Sequence, residues 1–233
     1  MPRPIRGAAR YHARYRSYAG SGPHRRYLQR AYAFSLERAR AMGRDPLRKE
    51  RPRVLLCGTG SAATTEEFVR FVRAQRAAAE IHVLDLNPAP LLASARALGD
   101  SVCFVRADGR LAPYPGGAFD LIETDFLLQF LSPEAKAELA REWARLLDPQ
   151  DGVALTRDWV RDSAAKVRPQ TALDLTRRAI VSGLLGASTY STTAAELRGC
   201  FAAAGLAVEI LPSTGNGGPR IPLMKFITAA PTR

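Results

Sequence analysis

A few acids and one glycine turn carry the chemistry legible in this chain. The apolar run Val54-Leu55-Leu56-Cys57 stops at Gly58-Thr59-Gly60, and small residues lead on into Glu66-Glu67-Phe68. That order reads as a buried strand, a tight turn and the start of a helix. Without a Cβ atom at 58 and 60, a ligand can lie against the backbone, and the amides of Cys57 to Gly60 and of the helix's first turn can face it. A second run, Ile81-His82-Val83-Leu84, ends in Asp85 with Leu86 beside it. A carboxylate at a strand tip can accept hydrogen bonds from both hydroxyls of a ribose. It can equally cap the helix that Asn87-Pro88 begins. A third run, Val102-Cys103-Phe104-Val105, leads to Asp108 and Gly109, and a fourth, Phe119 to Thr124, ends in Asp125 with Gln129 close behind. A fifth, Val153-Ala154-Leu155-Thr156, runs into Arg157-Asp158-Trp159. Asp125 can act as a general base or as a cap, Gln129 can orient a ligand, and Asp158 and Trp159 stand at the same edge.

These residues meet only if the strands lie side by side with their carboxyl ends together. In open α/β sheets the ligand sits outside those ends. The stretch between Gly60 and Asp85 has room for one helix and a return strand, so the first two runs form a βαβ unit. Periodicity predicts helices over about 65–79, 89–98, 133–147 and 193–204, with Gly205 closing the last. Ala207–Leu211 and Leu223–Ala229 read as a closing antiparallel pair joined by Gly215-Asn216-Gly217-Gly218-Pro219. Residues 160–192 exceed a simple connection. Leu173, Leu175, Ile180, Val181, Leu184 and Leu185 give them an apolar helix, which reads as an inserted lid or as a dimer surface. His82, inside the second strand, reads as structural.

The glycine loop, Asp85, Asp108 within Arg106-Ala107-Asp108-Gly109 and the strand Phe119-Asp120-Leu121-Ile122 stand in an order and spacing that resemble the class I S-adenosylmethionine (SAM)-dependent methyltransferases. The resemblance spans roughly residues 50 to 230. It implies a Rossmann-like, seven-stranded, mostly parallel α/β sheet with helices on both faces and an antiparallel last strand. It implies SAM as cofactor, held by Cys57, Gly58, Thr59, Gly60, Asp85, Leu86, Asp108, Gly109 and Asp125, with Asp108 at the adenine amino group. Two positions depart from the family. Leu56 stands where an acid usually helps to hold the methionine end, so another part of the chain must supply that partner. Ala62 replaces the third glycine. A nicotinamide-binding fingerprint is disfavoured, because Ala63 stands where its third glycine belongs.

The chain has 233 residues and a formal net charge of +12. Residues 1–50 hold 13 Lys and Arg against 3 Asp and Glu, so most of the excess belongs to an N-terminal arm and the domain over 51–233 is close to neutral. The arginine-rich start resembles a transit peptide in composition, a reading set aside in favour of an ordered arm. Tyr11, Tyr15 and Tyr18 share one face of a predicted arm helix, which packs on the domain or covers the site mouth, with Tyr15 the catalytic candidate. A second arm helix is predicted from about Arg25 to Met42. His12 and His24 are further base candidates after Asp125 and Asp158. Cys57, Cys103 and Cys200 lie far apart in apolar runs and read as reduced core cysteines of a cytoplasmic protein, with no metal spacing. No apolar run is long enough for a membrane span. Methyl transfer to a small molecule, a secondary metabolite or an amino-acid-like compound, is the leading expectation for a monomer or homodimer. Ring closure of SAM's own aminobutyl chain, RNA modification through the basic arm and a degenerate partner subunit are the alternatives.

Overall fold

The computed structural model describes residues 20–162, 168–185, 189–212 and 223–232. Tyr11, Tyr15, Tyr18 and His12 lie outside them, as does the turn 215–219. Within them the chain runs α1 (Gly22–Ala41), β1 (Arg53–Cys57), α2 (Ala62–Gln75), β2 (Glu80–Asp85), α3 (Pro88–Leu98), β3 (Cys103–Arg106), β4 (Leu121–Asp125), α4 (Pro133–Leu146), β5 (Val153–Trp159), α5 (Arg168–Leu185), α6 (Ala194–Ala203), β6 (Leu206–Pro212) and β7 (Met224–Pro231). The strands form one seven-stranded sheet ordered β3-β2-β1-β4-β5-β7-β6. Pairs among β1 to β5 are parallel, and β7 runs antiparallel between β5 and β6.

Burial on both faces explains why β1 is continuously apolar. Leu55 and Cys57 point to a layer with Leu139, Trp143 and Phe201. Val54 and Leu56 point to the opposite layer with Leu28, Tyr32 and Leu36 of α1 and Phe68 and Val72 of α2. The arm helix therefore supplies part of the domain's own core.

Helix starts follow caps more closely than periodicity. The Ser21 hydroxyl accepts from the His24 amide at 3.4 Å, and α1 begins at Gly22, ahead of the expected Arg25. Ser61 and Thr64 form a reciprocal capping box that starts α2 at Ala62, ahead of the expected Thr65. β5 runs on to Trp159 because β7 pairs along it, with Asp158 opposite Lys225 and Trp159 opposite Met224. The cysteine expectation needs one correction: Cys57 is buried, but Cys103 on the edge strand β3 is exposed, since β3 has a neighbour on one side only. In α5, Leu173, Leu175 and Ile180 are exposed while Asp174 is buried. No helix among the described residues is long and apolar enough to cross a membrane.

Basic residues of the arm and linker fasten it to the sheet. Arg38 grips the Glu209 carboxylate on β6 through two nitrogens, at 2.6 and 2.9 Å. Arg44 donates to the carbonyls of Pro149, Gln150 and Pro231. Lys49 reaches Asp120 at 2.5 Å and Asp148 at 3.1 Å, Arg48 pairs with Asp151, and Arg53 pairs with Glu80.

Candidate functional site

The tip of β1 turns at Gly58, whose φ of +89° is open to glycine at little cost. Its amide donates to the Leu84 carbonyl at 2.8 Å, which ties the turn to β2. Asp85, half-buried at the tip of β2, organises both neighbouring loops. Its Oδ2 accepts from the Thr59 amide at 2.6 Å and the Thr59 hydroxyl at 3.0 Å, and its Oδ1 accepts from the Asn87 amide at 2.7 Å. The capping reading and the ligand reading of Asp85 share one carboxylate: the loop hydrogen bonds occupy both lone pairs of Oδ2 and one of Oδ1, so accepting from both ribose hydroxyls requires Thr59 to give up its hydroxyl bond. Leu86 is half-buried beside it.

Cys57 and Gly109 meet each other. A Cβ atom at position 109 would stand 2.5 Å from Cys57 Sγ. Burial first, and then nearby acids beginning with Asp85, push the Cys57 thiol up to about 12, so it stays protonated. Asp108 carries Arg110 on it: Nη2 lies 2.7 Å from Oδ2, and Nε and the Arg110 amide each lie 3.0 Å from Oδ1. Side-chain hydrogen bonding from Arg110 holds the Asp108 carboxyl below its ordinary range. A ligand amino group would have to share Asp108 with that guanidinium.

The expected grouping of Asp125, Gln129 and Asp158 divides across the sheet. Asp158 is 1% exposed; its Oδ1 accepts from the Trp159 amide at 2.7 Å and its Oδ2 from the Gln129 amide at 3.2 Å. Burial pushes its carboxyl up to about 7. Gln129 is buried too, donating to the Phe126 carbonyl at 3.1 Å, while its own carbonyl accepts from the Tyr190 amide at 2.7 Å. Both residues hold the loop after β4. At the head of that loop Phe126 has a φ of +53°, a strained angle for an aromatic residue. Its ring lies 5.9 Å from that of the half-buried Trp159.

Asp125 faces the other way, under α1. It ion-pairs with Arg157 at 3.0 Å, and Glu123, two residues earlier on the same face of β4, stands 3.9 Å from the same guanidinium. Tyr27 and Tyr32 of α1 lie over Arg157, with ring centroids 5.6 and 5.2 Å from its guanidinium carbon. Burial pushes Glu123 up to about 8 and raises Asp125, although Arg157 opposes both shifts. His24, nearly buried in α1, is pushed down to about 4 by burial and then by Arg157, so it is neutral near pH 7. Sequence reading singled out Asp125 and missed the rest of this cluster. Its available signal was two acids at period two in an otherwise apolar strand.

The buried acids set a direction for stability. Unfolded, Glu123 ionises near 4.5; folded, it does so near 8. Its contribution is fully present below the lower value and is lost as pH rises through the upper one, and Asp158 adds the same sign up to about 7. His24 acts oppositely, but only below its ordinary 6.5. Melting temperature is therefore expected to fall from pH 6.5 to pH 8, and Glu123→Gln to flatten that fall. Thermal melts of both proteins across the window check this; an equal slope in the two would reject the assignment.

Comparison with known proteins places this geometry. Residues 54–150 match the family model described as a methyltransferase domain. No curated protein matches by sequence. Among solved structures, the apo form of the S-adenosylmethionine-dependent methyltransferase SibL is 21% identical with a TM-score of 0.60, over 78% of this chain and 51% of that one. PigF, solved with SAH, is 17% identical with a TM-score of 0.58, over 78% and 51%. A chain of a complex containing the Haloferax volcanii Trm112 methyltransferase activator is 15% identical with a TM-score of 0.62, over 100% of both. The chain spans about half the length of the first two, and at these identities the likeness is one of fold. On these comparisons, residues 54–150 match a methyltransferase domain, and the chain has the fold of the class I S-adenosylmethionine-dependent methyltransferases.

Proposed function

We propose that the protein transfers the methyl group of SAM to a small organic molecule received beside the packed pair Phe126 and Trp159. The observation that carries the substrate class is this aromatic pair at the ends of β4 and β5, the edge where an acceptor must approach. A second observation argues against a phosphate backbone as substrate. Arg25, Arg38, Arg48, Lys49 and Arg53 of the arm and linker are engaged by acids of this same chain. Nucleic-acid affinity needs cations available for counterion release.

The cofactor, when bound, supplies a methyl carbon already activated by a sulfonium. The chain's residues then have to bind, orient and exclude water. Gly58, Thr59 and Gly60 offer backbone, Asp85 accepts from the ribose hydroxyls, and Leu86, Asp108 and Gly109 flank the base. Asp125 serves the cofactor's side, since Arg157 holds it there. Asp158 and Gln129 are positioning residues that set the loop carrying Phe126. Tyr15 and α5 complete the reading as arm and lid, over a domain spanning residues 51–233.

The test is incubation with methyl-labelled SAM and either a low-mass metabolite fraction or total RNA. Label in a low-mass product, together with S-adenosylhomocysteine, is expected. Label in RNA, or methylthioadenosine released from SAM alone, would replace this reading with the RNA or ring-closing alternative.

A further inference from the structure

The cluster beneath α1 contains polar atoms that the fold itself leaves unmatched. Glu123 Oε2, Asp125 Oδ1 and Arg157 Nη1 are buried with no hydrogen-bond partner. Arg157 and Glu123 are each 2% exposed. Burying such groups costs free energy unless something answers them. One guanidinium with a spare nitrogen, beside two carboxyl groups with spare oxygens, is complementary to one kind of ligand end: a carboxylate and an ammonium on the same carbon.

The sheet order says which zwitterion would reach it. β1 lies between β2, which bears Asp85, and β4, which bears Glu123 and Asp125. Neighbouring strands are about 4.8 Å apart. A ligand with its ribose at Asp85, crossing the Gly58 turn, arrives on the far side of β1 at the end of β4. Leu56 is in register with Glu123 across β1 and β4, and both look toward α1. An acid missing from position 56 is thus present one strand over, on the same face.

We propose that Arg157, Asp125 and Glu123 hold the amino-acid end of SAM, with Arg157 taking its carboxylate and the two acids its ammonium. This rests on SAM being the cofactor. Tyr27 and Tyr32 form the cover over the cluster.

Two nucleosides separate this inference from its alternatives: S-adenosylhomocysteine, which has the amino-acid end, and methylthioadenosine, which lacks it. Calorimetric titration of the full chain is expected to show Arg157→Met weakening S-adenosylhomocysteine by about 30-fold and leaving methylthioadenosine within about twofold, as for loss of a charge-assisted bond pair. Asp125→Asn, which preserves shape, is expected to lose about 10-fold on the first ligand alone. Equal losses on both ligands in both variants would make the cluster a structural support only. Unchanged affinity for both in both variants would place the amino-acid end elsewhere. If the unaltered protein binds neither nucleoside, the cofactor reading itself falls, and this inference with it.

Discussion

Asp85→Ala is expected to weaken S-adenosylhomocysteine binding by about 100-fold or more, the largest effect of any single side chain at the nucleoside half of the site. Two losses combine. The first is the proposed charge-assisted hydrogen bonding to the ribose hydroxyls, about 1.5–3 kcal/mol for each bond. The second is preorganisation. Asp85 already binds the Thr59 amide and hydroxyl on one side and the Asn87 amide on the other, so its removal frees the β1 turn and the start of α3 together. The two losses can be told apart. Thr59→Val removes one loop contact and keeps the carboxylate, and a cost of about 1 kcal/mol, or roughly fivefold, is expected. Asp85→Asn keeps an acceptor for Thr59 but loses the charge, and should fall between the two. Calorimetric titration of the three variants checks the order. Binding by Asp85→Ala within about threefold of the unaltered protein would remove the ribose role, because losing charge-assisted hydrogen bonds to the ligand could not leave the affinity so little changed.

The strand tips that carry the proposed nucleoside site were legible because their determinants are local. A strand buried on both faces must be largely apolar, so β1, β2 and β4 announce themselves, and Asp85 and Asp125 stand at the ends of the last two. Helix starts were less legible because one hydrogen bond decides them. The Ser61 cap starts α2 inside a stretch of small residues whose periodicity says little. Arg157 was hidden for another reason. An arginine at the end of an apolar run reads as a side chain reaching water, and only β7 pairing along β5 carries that strand on while α1 covers the position. Its partners come from β4 and from the arm, far off in sequence. The same holds for the division of Asp125 from Asp158. Alternation along β5 puts Arg157 and Asp158 on opposite faces, but the face used by Asp125 depends on its register with Arg157, which no local pattern prints.

Part of the basic arm's charge is engaged within the chain itself. A concentration of arginine before residue 50 invites an anionic partner, yet much of that charge in the described residues answers acids or carbonyls of the same chain. Exposed pairs of this kind contribute little each. Their effect is geometric: α1 is held at several points along its length and beyond it, and Tyr27 and Tyr32 are thereby kept over Arg157.

Gly109→Ala is expected to destabilise the protein by about 1–3 kcal/mol, a fall in melting temperature of roughly 2–10 °C for a chain of this size. The new Cβ atom would stand 2.5 Å from Cys57 Sγ, 3.6 Å from a Leu139 methyl and 3.9 Å from a Leu84 methyl. Only the first distance is prohibitive. Gly109 is not in the left-handed region, so alanine meets no backbone strain and the sulfur is the whole obstacle. Cys57 cannot readily turn aside, because it is 2% exposed and packed within the core layer of Trp143. Cys57→Ala alone should cost about 1 kcal/mol through the small void it leaves. In that background the alanine at 109 has room, and its cost should drop to about 0.5 kcal/mol or less, a coupling of roughly 1–2 kcal/mol in a double-mutant cycle. Additive losses would mean that the two residues do not contact as described. The same cycle run on S-adenosylhomocysteine affinity tests a consequence for the site. Cys57 ends the strand before the glycine turn, and Gly109 follows Asp108, so their contact joins the β1 tip to the Asp108 loop. If that contact sets the spacing of the loops, Gly109→Ala should weaken the ligand and Cys57→Ala should restore it, although neither side chain offers the ligand a polar group.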